Sequence, residues 1–118
     1  MTSKPSSRQQ AQLAFLQTLP PKFQRIHNIV EQMSSQRADE AMVGRLARLL
    51  DEIKGNGAAL SLSGIAETAG IMGTMVRRGG GVQFKVRGLR ELLVSLKTNY
   101  EGALRSASTV EPAPEGGS

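Results

Sequence analysis

The sequence predicts an all-α fold: an antiparallel four-helix bundle with a short N-terminal capping helix. Three observations carry that prediction. Apolar residues recur at offsets of three and four in five separate stretches, the period of a helix with one buried face. Pro20-Pro21 and Gly79-Gly80-Gly81 punctuate those stretches, and no run reads convincingly as a strand. Aromatic residues make up only 3%, so Leu, Ile, Val, Met and Ala must build the core. Amphipathic helices of similar length joined by short connections pack as antiparallel neighbours.

The first helix, near 8–18, is short and polar, with Leu13 and Leu16 as its contacts. Pro20 and Pro21 break it and open a second helix near 21–35, since proline lacks only an N–H that would have no partner in a first turn. Phe23, Ile26, Val30 and Met33 form its buried stripe. The third helix runs from about Ala38 to Leu60, with Asp39 and Glu40 at the positive end of its dipole. Met42, Val43, Leu46, Leu49, Leu50 and Ile53 continue the stripe. Gly55 and Gly57 lower helix propensity by about 1 kcal/mol each, so a loop at 55–57 is the plain alternative.

Ser61 or Ser63 can cap a fourth helix over 62–77, which buries Leu62, Ile65, Ala69, Met72 and Val76. Glu67 near its start and Arg77 and Arg78 at its end match the helix dipole. The glycine triplet stops it. The last helix, near 83–106, buries Val86, Leu89, Leu92, Leu93, Leu96, Tyr100 and Leu104. Residues 8–107 therefore form the domain. The Ser/Pro-rich segment 1–7 and the tail 108–118 have the composition of disordered ends.

At 118 residues the chain suffices for one domain with a single core. No cysteine and one histidine leave no disulfide framework, no thiolate site and no plausible zinc site. No apolar run approaches the length of a membrane span, and no signal-peptide pattern opens the sequence, so a cytoplasmic protein is expected. The net charge of +5 is dispersed, apart from a cluster at Arg77, Arg78, Lys85, Arg87 and Arg90. No aromatic residues interleave with that cluster for base stacking, which argues against nucleic acid and leaves an acidic protein as the better partner.

The chemistry-bearing stretch is 46–60, Leu-Ala-Arg-Leu-Leu-Asp-Glu-Ile-Lys-Gly-Asn-Gly-Ala-Ala-Leu. Its apolar stripe faces inward, while Ala47, Asp51, Lys54, Gly55 and Ala58 share the other face, bordered by Arg48. A charged pair among small residues makes a docking surface, because glycine lets another backbone approach closely. The order of helices and the run Lys54-Gly55 followed by small residues resemble the histidine phosphotransfer (HPt) family over roughly residues 10–106. In that family an exposed histidine precedes Lys-Gly, accepts phosphate from a response-regulator receiver and passes it on. The resemblance implies that Lys54 and Gly55 keep the family's roles, with Gly57, Ala58 and Ala59 as the small surface. The phosphoacceptor-equivalent position is Asp51.

That aspartate changes the expected chemistry. Imidazole is a good nucleophile near neutral pH, whereas a carboxylate repels a phosphoryl group unless a divalent metal offsets the charge. Glu52 points about 100° away around the helix and cannot help bind such a metal. The reading is a non-enzymatic, cofactor-free and monomeric signalling module that binds a receiver or a histidine kinase without phosphotransfer. Asp51 as an ordinary surface residue paired with Lys54 or Arg48 is the bland alternative. His27, the only other candidate acceptor, lacks a following Lys-Gly and reads as a surface histidine. A helical adaptor unrelated to phosphorelay, using a bundle face or the basic 77–90 stretch, is the second function class.

Overall fold

Capping chemistry sets where each helix starts and stops. The computed structural model describes residues 6–108, so expectations for residues 1–5 and 109–118 lie outside the described residues. Helix α1 (Ser7–Leu16) opens in a capping box: the Ser6 hydroxyl accepts the Gln9 N–H and the Gln9 side chain accepts the Ser6 N–H, each at 3.0 Å. The first helix thus starts slightly ahead of position 8. Helix α2 (Leu19–Ser34) carries Pro20 and Pro21 in its first turn. It ends where Gln36 takes a left-handed φ of 58°, and Arg37 donates to the Gln32 carbonyl at 2.7 Å.

Helix α3 (Glu40–Ala59) is N-capped by Asp39, whose carboxylate accepts the Met42 N–H at 2.8 Å. It passes unbroken through Gly55 and Gly57, so the loop alternative does not hold. A Schellman motif ends it. Leu62 donates to the Gly57 carbonyl at 2.8 Å and Ser61 to the Ala58 carbonyl at 3.1 Å, with Ser61 at φ 61°. Ser61 therefore terminates α3 and does not cap α4. Helix α4 (Ser63–Arg77) starts with no side-chain cap at all, so neither serine plays the capping role expected of it. Helix α5 (Val82–Ser108) is the longest, at 27 residues.

The described chain is all-helical, and its helices pack on one common core. Each stripe supplies buried residues to it: Phe23, Ile26, Val30 and Met33 from α2, Leu46, Leu50 and Ile53 from α3, Ile65, Ala69, Met72 and Val76 from α4, and Val86, Leu89, Leu93 and Leu96 from α5. Full burial of each of these side chains other than Ala69 stabilises the fold by about 1.5–3 kcal/mol before entropy is counted. Leu13, Val43, Leu49, Leu92, Tyr100 and Leu104 close the margins, half-buried. Phe23 and Tyr100 meet edge to face, centroids 5.4 Å apart, which ties α2 to α5. Helix α4 also packs on α5, and α1 lies against α5. The closest pairing is α3 with α4, whereas α2 and α3 touch sparsely. Among the described residues, no helix is long and apolar enough to cross a membrane.

Candidate functional site

Small residues bring α4 close to one flank of α3. A Cβ added to Gly57 would lie 3.4 Å from the Ala66 backbone nitrogen and 3.5 Å from the Ile65 side chain, so glycine here permits helix contact. The aliphatic stem of Lys54 lies across Gly70, with its Cδ 3.4 Å from where a Cβ would be. Higher on the same seam, Gly73 leaves room for Arg77. Side chains lean toward the N-terminus of their own helix, which carries Arg77 back over Gly73.

There Arg77 meets Asp51. Its Nη1 donates to Asp51 Oδ1 at 3.1 Å, and its Nη2 makes a second, short bond to Oδ2. This fork-to-fork geometry is the most directional form of a guanidinium–carboxylate pair. Both side chains remain about half exposed, at 51% and 52%, so the pair sits at the surface. The Arg77 hydrogen bonds hold the Asp51 carboxyl below the ordinary aspartate range. Partial desolvation opposes that shift, and the charges of Arg77 and Lys54 add to it. The same pair raises the pKa of Arg77.

The structure brings together part of the face expected from the sequence. Arg48, Asp51, Lys54, Gly55 and Ala58 are exposed along α3. Gly55 is unobstructed, because a Cβ there would meet nothing within 4 Å. Ala47 does not belong to this face: it is 8% exposed and is buried with the core. Gly57, expected to widen the small surface, is buried against α4 instead. Asp51 takes its partner from neither Lys54 nor Arg48 but from Arg77, a residue assigned from sequence to the helix dipole and the basic cluster.

His27 is exposed and stands one turn before Glu31. It lies about 200° around α2 from Arg25, which faces α3, so His27 is turned away from the Asp51 face. The basic stretch at 77–90 is partly consumed within the fold. Besides Arg77, Arg90 binds Glu31 through two bonds of 2.9 and 2.8 Å, and the Lys85 ammonium reaches the Val76 carbonyl at 3.4 Å. Near it, Phe84 stands 79% exposed, which sequence spacing did not single out. Compared with known proteins, the chain matches no family model, no curated protein and no solved structure.

Proposed function

We propose that this chain is an HPt-like signalling protein of a two-component phosphorelay that binds a response-regulator receiver or a histidine kinase and carries no phosphate at the usual position. It would act as a cytoplasmic monomer. One observation carries the reading: the residue at the acceptor position is an exposed carboxylate whose two oxygens are both occupied by Arg77, beside Lys54 and an unobstructed Gly55. An antiparallel bundle is the architecture that goes with it. Gly57 with Ala66, Lys54 with Gly70 and Asp51 with Arg77 pair in opposite directions along α3 and α4. Phe23 with Tyr100 and Glu31 with Arg90 do the same along α2 and α5.

The geometry disfavours Asp51 as a nucleophile. Each of its oxygens is engaged by the fork, and among the described residues it belongs to no group of three acidic or histidine side chains able to hold a metal. The same geometry favours docking. A bare aspartate would repel the acidic pocket of a receiver, whereas Arg77 already neutralises this one. Arg48 and Lys54 then supply the attraction that speeds encounter. Gly55 allows a partner backbone to approach.

Two measurements test the proposal. Incubation with phosphorylated receivers should leave the protein without acid-labile phosphate; label that disappears in His27→Ala would move the chemistry to His27. Calorimetry against receivers should give binding that Gly55→Arg abolishes while the helical circular dichroism is retained. Phe84, at 79% exposure, favours a second reading, a helical adaptor working through the start of α5. In that case Arg87→Glu, and not Gly55→Arg, should remove the partner in a pull-down.

A further inference from the structure

The opposite flank of α3 carries a different kind of surface. Between α2 and α3 runs an open groove of about 640 Å³, lined by Arg25, Asn28 and Ile29 from α2 and by Arg45, Arg48 and Leu49 from α3. Glu52 closes one end, and its carboxylate is already held by Lys22 at 2.8 Å. None of the three arginines forms a hydrogen bond or an ion pair with any described residue. Their like charges repel across the groove, and the one acid that lines it, Glu52, is taken by Lys22. Half-buried Ile29 and Leu49 give the groove an apolar floor.

We infer that this groove is a docking site for an acidic amphipathic segment of a partner protein, one that lays an apolar side chain on Ile29 and Leu49 while carboxylates on either side take Arg25, Arg45 and Arg48. Charge complementarity selects the partner. Guanidinium is weakly hydrated and offers a planar fork that matches a carboxylate, so three unpaired arginines form a desolvatable rim. The apolar floor distinguishes a peptide from a free phosphate, which would leave Ile29 and Leu49 uncovered. The absence of an aromatic side chain in the groove removes the stacking platform that a single-stranded nucleic acid needs. The inference stands independently of the Asp51 face, although Arg48 borders both.

The test uses the full chain and fluorescence anisotropy with three labelled probes: a short helical peptide of leucine and glutamate at amphipathic spacing, its lysine-for-glutamate counterpart, and an oligothymidylate. The acidic peptide should bind, and added salt should weaken it. Arg25→Glu with Arg45→Glu should reduce its affinity about tenfold or more, because the variant places like charge against the peptide. Arg78→Glu with Arg87→Glu, which changes the net charge equally at a remote place, should reduce it far less. Gly55→Arg should leave it intact, so a failed receiver interaction and a failed groove are told apart. Absence of acidic-peptide binding, equal binding of the lysine peptide, tighter binding of the oligothymidylate, or equal losses in the two double variants would each overturn the inference.

Discussion

The two flanks of α3 solve the same problem in opposite ways. Toward α4 the contact residues are small, with Gly57, Ala66, Gly70 and Gly73 along one seam, and the helices close up. Toward α2 the residues are long, with Arg45, Arg48, Leu49 and Glu52, and the contact is sparse. Interhelical distance follows the size of the side chains at the contact. On the tight flank a long arginine lies flat over a glycine and reaches the acid of the neighbouring helix. On the open flank only Lys22 and Glu52 meet, and three arginines remain without a partner among the described residues. Each flank thus holds one ion pair, and the surplus arginines of the open flank reflect a single acid, Glu52, among several bases.

The strongest way to break this contrast is to force the tight flank apart. Gly57→Leu places a branched side chain where even a Cβ lies 3.4 Å from backbone, and it should destabilise the fold by about 1–3 kcal/mol in chemical denaturation. A comparable change on the open flank, Arg45→Leu, should cost far less. Equal losses at the two sites would mean that α2 and α3 are packed as closely as α3 and α4.

Acid should probe the paired charges next. Arg77 and Arg90 lower the carboxyl pKa values of Asp51 and Glu31 in the folded state. Unfolded, those groups titrate near ~4. Their contribution to stability is thus present above that range and is lost as pH falls through the lower folded values. Unfolding free energies measured at neutral pH and at successively lower pH should converge for wild type and for Arg77→Met with Arg90→Met. A constant gap between the two proteins down to low pH would show that the arginines act by packing alone.

Gly73→Ala sharpens the comparison with a smaller change. The new Cβ would lie 3.3 Å from Arg77 Nη1, the movable end of a long side chain. Gain in helix propensity and a small displacement of the fork should nearly cancel, leaving stability within about 0.5 kcal/mol. The Asp51 carboxyl, followed by NMR titration, should move up toward the ordinary aspartate range. The least effect belongs to the open flank: Arg45→Gln should change stability by no more than about 0.5 kcal/mol, and added salt should reduce even that difference.

Much of the fold was legible because helical spacing reports burial directly. Phe23, Ile26, Val30 and Met33, and Leu62, Ile65, Ala69, Met72 and Val76, are all buried as their period requires. The exposed face with Asp51, Lys54, Gly55 and Ala58 was legible for the same reason. Ala47 and Gly57 were misread because a small residue suits two opposite purposes. It can leave a surface open to a partner, or it can admit a neighbouring helix, and one helix considered alone does not say which. Arg77 was invisible as the partner of Asp51 because the two are 26 positions apart and meet only through the packing of α3 on α4. The unpaired arginines beside α2 were hidden likewise, since Arg25 and Arg45 look like ordinary solvated charges until the helices are set side by side.

The edge-to-face contact of Phe23 with Tyr100 has a practical consequence. The chain contains one tyrosine and no tryptophan, so its near-ultraviolet signal comes chiefly from a single ring. That ring is seated between α2 and α5. Intrinsic tyrosine emission and near-ultraviolet dichroism are therefore reporters of that one helix interface. A ligand that docks on either side of α3 should leave them nearly silent, whereas one that pries the bundle open should change them first. The protein carries its own built-in control against mistaking unfolding for recognition.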